Sequence, residues 1–280
     1  MEISVYYAGK HHVVGIYAGN PVCVAETGKV TCDKPASMVE RALEGPADKL
    51  SFRDFLCGND PVLAVVNDAT RPTPTARILD SAATMLNDVE TRFIVATGTH
   101  RPPSVDELKR IFGRHYGKYR NSISIHNARN ESELVSLGTT SRGTPVSLNR
   151  LCAEAQKIMV IGSVEPHYYA GYTGGRKAFL PGTAGYGSIE QNHSHAMDPS
   201  AGVLRLEGNP VHEDMVEAMS FVPARKIFAV MTVLDGDHKL CGITAGDMAE
   251  SFESAVRIAE QIFVVPVDGH AYIVVSVVKH

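Results

Sequence analysis

The stretch PVLAVVNDATRPTPTARILDSAATML, residues 61–86, decides the fold. Pro61–Val66 is a short apolar run, β-branched towards its end, that stops at Asn67-Asp68. Such a run suits a strand buried on both faces. Pro74–Leu86 follows with Ile78, Leu79, Ala82, Ala83 and Leu86 at helical spacing. Working outward, Arg92–Ala96 repeats the strand pattern and ends at Thr97-Gly98-Thr99-His100. Ser104-x-x-Glu107 is a capping box that opens a helix through Phe112. Further strands are expected at Ser122–Ile125, Lys157–Ile161, Ile227–Val233 and Ala271–Val277, with helices over Pro210–Met219 and Ala245–Ile262. Strands alternating with helices predict an α/β fold, a Rossmann-like, mostly parallel sheet with helices on both faces. Before it, residues 2–7 and 12–17 alternate as a β-hairpin around Ala8-Gly9-Lys10, and Ser37–Leu43 and Ser51–Leu56 read as short helices. Residues 1–270 are expected to form one domain; residues 271–280 are its last strand or the start of a truncated second domain.

Composition agrees with a globular chain. Hydrophobic residues make up 44% and charged residues 21% of 280, which excludes disorder and fibrous repeats. The net charge of −4, with Lys and Arg scattered, leaves no nucleic-acid footprint. No apolar stretch approaches a membrane span and no signal-peptide pattern opens the chain, so a cytoplasmic location is expected. The five cysteines form no C-x-x-C pair and are expected to be buried, reduced thiols.

In open α/β sheets ligands bind outside the carboxyl ends of the strands, so the segments that follow strands are the places to look. In Asn67–Pro74, Asp68 could accept ribose hydroxyls, Thr70 and the helix start could hold a phosphate, and Arg71 offers a fork that matches a carboxylate or phosphate. An Asp/Thr cap closed by prolines is the plainer reading of the same residues. His100 and His167 end neighbouring strands and could face one substrate as two opposed bases, the need of a reaction that acts on both enantiomers. Gly174 and Gly175 permit close backbone approach to a ligand, and Lys177 would project beyond them as a charge or an amine nucleophile. A solvated Arg176-Lys177 pair after a glycine turn is the alternative. His193-Ser194-His195 can place two metal ligands on one strand face, although no Cys or H-E-x-x-H pattern supports an all-protein metal cage. Asn209-Pro210 reads as a helix start, with His212 structural.

Together these segments resemble the nickel-pincer-nucleotide lactate racemases. The resemblance is carried by N-D-x-T-R-P-x-P (Asn67 to Pro74), G-T-H (Gly98 to His100) and E-P-H-Y-x-A-G-Y-x-G-G-R-K-x-x-L-P-G (Glu165 to Gly182). It continues in N-H (Asn192-His193) and E-G-N-P-V-H-E-D-M (Glu207 to Met215). It implies a 2-hydroxyacid racemase or epimerase, an isomerase acting through reversible hydride transfer at C2. The implied cofactor is nickel in a pyridinium-3,5-bisthiocarboxylic acid mononucleotide attached to Lys177, with His193 as the protein ligand to the metal. His100 and His167 match the paired acid–base groups and Arg71 a substrate contact. Asp68 and Thr70 fall in the segment that holds the nucleotide.

The implied partners are a small 2-hydroxy acid and the cofactor-synthesis enzymes; nucleic acid and membrane are not expected, and oligomeric state is not readable. Members of that family are longer, with a second α/β domain that supplies a Lys gripping the substrate carboxylate; no position here matches it. The chain is therefore expected to be an N-terminal portion that holds the cofactor and turns over substrate poorly. Two other readings are a cofactor-binding module without catalysis, and a zinc hydrolase using His100, His167, His193 and His195.

Overall fold

A computed structural model describes residues 2–7, 10–15, 35–45, 50–222 and 226–266. Two antiparallel strands, β1 (Glu2–Tyr7) and β2 (Lys10–Gly15), pair Tyr7 with Lys10. The helices α1 (Pro35–Glu44) and α2 (Phe52–Leu56) follow, the second capped by the Ser51 hydroxyl. The α/β core then runs β3 (Val62–Asn67), α3 (Thr75–Ala82), β4 (Thr91–Ala96), α4 (Val105–Phe112), the single turn α5 (Tyr116–Tyr119) and β5 (Ile123–Ile125). A hairpin of β6 (Leu134–Thr139) and β7 (Pro145–Asn149) and the short α6 (Arg150–Glu154) lead into β8 (Lys157–Ser163). Beyond β8 lie β9 (Pro166–His167), β10 (Ala170–Tyr172), α7 (Tyr186–Ser194), β11 (Gly202–Val203) and α8 (Pro210–Ser220). The described chain closes with β12 (Lys226–Leu234), β13 (Leu240–Gly246) and α9 (Met248–Phe263).

The main sheet has the order β13-β12-β8-β3-β4-β5. All its neighbours are parallel except β12 and β13. Its parallel strands are apolar on both faces because both are covered. Along β3, Val62, Ala64 and Val66 face one core with Phe93, Met159 and Phe228, while Leu63 and Val65 face the other with Ile94, Ile158 and Val160. Side chains that alternate across a strand can feed two cores, and each fully buried Val or Ile stabilises by roughly 1.5–3 kcal/mol. The first core is closed by α1 to α4, the second by α8, α9 and the segment around Phe179 and Leu180.

The capping box at Ser104 and Glu107 forms as expected. Asn209 caps α8, whose first residue is Pro210. Residues 245 and 246 differ from expectation: Ala245 and Gly246 pair with Val230 and Ala229 in β13, and helix α9 starts only at Met248, capped by Asp247. The β6–β7 hairpin was also not expected. The predicted strand Ala271–Val277 lies outside the described residues. Cys152 and Cys241 are buried as expected, but Cys57 is exposed. Among the described residues no helix is long and apolar enough to cross a membrane.

Candidate functional site at the switch point of the sheet

The sheet grows outward in both directions from β3 and β8. Crevices at such a switch point, beyond the strand carboxyl ends, are where doubly wound sheets bind ligands. Here a small cleft of about 40 Å³ opens at that place, lined by Asn67 at the end of β3, Arg71 beyond it, Gly162 in β8, and Thr173, Gly174, Gly175, Lys177 and Ala178.

On the β8 side the chain leaves the strand through Glu165, turns through β9 and β10, and enters a tight segment at Gly174 and Gly175. Both glycines have positive φ, 83° and 54°. A Cβ on Gly174 would lie 2.7 Å from Val164, and one on Gly175 2.9 Å from Phe252. Their freedom is thus already needed for packing against the protein. Arg176 is only 2% exposed, which overturns the idea of a solvated Arg-Lys pair. Its guanidinium donates to the carbonyls of Ala170 (2.7 Å) and Gly174 (3.3 Å) and lies over the Phe252 ring.

Lys177 follows, half-buried, with Nζ 3.4 Å from Nε2 of His167. Burial, reinforced by Arg176 and Arg71, brings the amine down to about 7. Burial, then the Lys177 charge, lowers His167 to about 3, so this imidazole is neutral at neutral pH. The Ala170 N–H donates to His167 Nδ1, which places the ring proton on Nε2, facing the amine. That arrangement suits a neutral Lys177 accepting at its lone pair.

His193 stands on the last turn of α7. Its Nδ1–H donates to the Ile189 carbonyl at 2.8 Å, so Nε2 carries the free lone pair that a metal needs. Burial, then Lys177, lowers its pKa as well. The ring of Tyr169 joins the group: its centroid is 4.6 Å from His167 and 5.2 Å from His193, and the Lys177 amine lies 5.7 Å from it. His167, Lys177 and His193 therefore converge on one aromatic ring. The preceding Asn192 is buried and donates to the Asp214 carboxylate at 2.7 Å. Asp214, fully buried, also accepts from Thr140 (2.5 Å) and Thr144 (2.8 Å), which ties α7 to α8 and the β6–β7 hairpin.

On the β3–β4 side the chemistry is different. Asp68 is 5% exposed, and its carboxylate takes the Nδ1–H of His100 (2.7 Å), the Thr70 hydroxyl (2.6 Å) and the Thr70 N–H (3.1 Å). Asp68 and Thr70, expected from the sequence in a nucleotide-holding segment, bond to each other, and Asp68 also to His100. The His100 ring itself is 52% exposed, with Nε2 left for another partner. Arg71 donates to Glu165 at 2.5 Å across the cleft. Glu165 and Asp214 escaped the sequence reading because their importance lies in contacts 94 and 70 or more residues away.

His195 turns away from this cleft towards Asp214, at 3.9 Å, and sits after the end of a helix rather than on a strand face. His212 packs beside Phe252. Among the described residues no group of three or more His, Cys, Asp or Glu side chains can hold a metal ion, so the zinc hydrolase has no ligand set. His193 thus offers one imidazole with a free Nε2 near the Lys177 amine.

Sheet order, cleft and side chains together define a doubly wound α/β domain with a polar cleft at its switch point. Residues 9–203 match the lactate racemase N-terminal domain, and the chain belongs to that family. It is 32% identical over 256 residues to a lactate racemase from Lactiplantibacillus plantarum, covering 89% of this chain and 59% of the relative. It is also 32% identical over 215 residues to one from Thermoanaerobacterium thermosaccharolyticum, covering 75% and 50%. The chain thus spans between half and three-fifths of the length of these relatives. The solved lactate racemase apoprotein from T. thermosaccharolyticum superposes with a TM-score of 0.83 at 26% identity, over 94% of this chain and 63% of that one. A Thermotoga maritima protein of 21% identity, with a TM-score of 0.68 over 84% and 60%, shares the fold.

Proposed function

We propose that this chain is the cofactor-holding part of a 2-hydroxyacid racemase of the lactate racemase type, with nickel held in a pincer nucleotide on Lys177. The observation that carries the reading is the convergence of Lys177, His167 and His193 around Tyr169 at the switch point of the sheet. When bound, the nickel-pincer nucleotide supplies reversible acceptance of the C2 hydride of a 2-hydroxy acid.

The remaining work belongs to the chain. With its pKa brought down to about 7, Lys177 presents a large neutral fraction of its amine for attachment at a pH where an ordinary lysine is charged. His193 offers Nε2 to the metal, its tautomer set by the Ile189 carbonyl. His100 and His167, beyond the ends of β4 and β8 on either side of β3, are the paired acid–base groups at the 2-hydroxyl: the one facing it as a free base takes its proton, and the other, when protonated, supplies one on the opposite side. Asp68 holds the His100 proton on Nδ1, so that Nε2 is the working nitrogen. Arg71 binds the substrate carboxylate. Gly174 and Gly175 keep the Lys177 segment tight against the strand end. The reading also carries dependence on cofactor-synthesis enzymes, a cytoplasmic location, and residues 1–270 acting as the cofactor domain.

The test is to co-express the chain with cofactor-synthesis enzymes and give it L-lactate in deuterium oxide. D-lactate that keeps its original hydrogen at C2 is expected; deuterium at C2 would mean proton abstraction and contradict the mechanism. A loaded chain that converts neither enantiomer is the outcome of the second reading, a cofactor-carrying module without catalysis.

A further inference from the structure

Arg71 and Glu165 are 94 residues apart in sequence and meet across the cleft. Each side chain is about one-third exposed, 33% and 32%, and a pair so placed contributes little to folding. The contact is a single bond from one terminal nitrogen to one carboxylate oxygen. Among the described residues no other protein acceptor meets the guanidinium, so its remaining N–H donors are free to receive a planar anion. Glu165 itself is well seated. Its N–H donates to the Thr173 hydroxyl (3.0 Å), its carbonyl accepts from the Thr173 N–H (2.9 Å), and the same hydroxyl donates to Ser163 (2.8 Å). A one-third-exposed arginine is thereby tied by one terminal nitrogen to a residue whose backbone is hydrogen-bonded on both sides. Side-chain freedom is what a long cation loses on binding, and a partner that restricts it beforehand reduces that loss.

Resting on the reading of Arg71 as the carboxylate contact, we infer that Glu165 is a positioning residue: it aims the Arg71 fork into the cleft for a ligand carboxylate. The opposite arrangement, an internal carboxylate competing for the fork, would leave Arg71 better able to bind anions once Glu165 is removed. The two make predictions of opposite sign. Glu165 also joins the loop that carries Asp68 to the segment that carries His167, so the same contact sets the spacing between the two halves of the site.

The experiment measures binding of lactate and of acetate to the chain by NMR titration, with circular dichroism as a folding control. Arg71→Ala is expected to lose binding of both. Glu165→Ala should weaken it roughly tenfold, the scale of one charge-assisted hydrogen bond. Glu165→Gln should recover most of that loss, because its amide oxygen accepts the same N–H, a rescue that general disruption of the fold would not give. Equal or tighter binding by both Glu165 variants overturns the inference and leaves the racemase reading untouched. Acetate bound as well as lactate, with the Glu165 pattern intact, supports the inference while counting against 2-hydroxy acid selectivity. If the parent chain binds neither, the cleft is not a carboxylate site and both fall.

Discussion

The two sides of the cleft solve the same problem, placing an imidazole at a strand end, in opposite environments. His100 after β4 is half in solvent and held by a buried carboxylate, Asp68. His167 after β8 is 8% exposed and surrounded by cations, with Lys177 and Arg71 lowering its pKa further. One side is built on a charge-assisted hydrogen bond, the other on desolvation. The contrast shows how a single domain can keep one imidazole oriented by a carboxylate and also bring a primary amine down to titrate near pH 7: the two needs are met by different strand ends.

The largest effect should come from the support of the desolvated side. Asp214→Ala leaves Thr140, Thr144 and Asn192 with unpaired buried donors, and a loss of roughly 3–5 kcal/mol in denaturant unfolding is expected. A loss below roughly 1 kcal/mol would mean that the network is not what anchors α7.

Acid unfolding separates the two sides next. The unfolded chain protonates His167 near 6.5 and the folded chain near 3, so the unfolded state binds the proton first. Stability is therefore lost as pH falls through that window, at roughly 1.4 kcal/mol per pH unit for this group. His167→Gln should flatten the fall by roughly 2–4 kcal/mol between pH 6.5 and pH 3, less than the roughly 5 kcal/mol of the full window because solvent screens part of the shift. An unchanged slope would place His167 outside the desolvated cluster.

Smaller again is the effect on metal. His193→Ala should lower nickel retention by the cofactor-loaded chain roughly 10–100-fold, read by metal analysis after dialysis, while His195→Ala leaves it unchanged. The reverse result would exchange the two imidazoles of the H-x-H motif. Smallest of all, Asp68→Ala should cost no more than about 1 kcal/mol of stability, because its partner ring is half in water. Its consequence should instead be a mixture of His100 tautomers, visible in the ring nitrogen shifts.

Much of this was legible in the sequence, and the reasons differ by element. β3, β4, β8 and β12 announce themselves because strands buried on both faces carry near-continuous apolar runs. β13 does not: Cys241-Gly242-Ile243-Thr244 mixes small and polar residues at a sheet edge, and its end merges into the periodicity of α9. The β6–β7 hairpin, interrupted by a register shift at Ser136 to Gly138, carries only weak alternation. Among the site residues, Lys177, His167 and His193 stood out through the unusual company of glycines and aromatic residues around them. Their meeting at Tyr169 rests on tertiary contacts that spacing alone does not express. Arg176 misled for a physical reason: beside a lysine it reads as solvated, and only the Ala170 and Gly174 carbonyls make its burial tolerable.

The most direct measurement is the peptide mass map of the chain purified from cells that also make the cofactor. A single adduct of the pyridinium nucleotide on Lys177, absent from Lys177→Ala, is the predicted result. An unmodified Lys177 in a preparation whose nickel is retained, or an adduct on another lysine such as Lys157, would contradict the account.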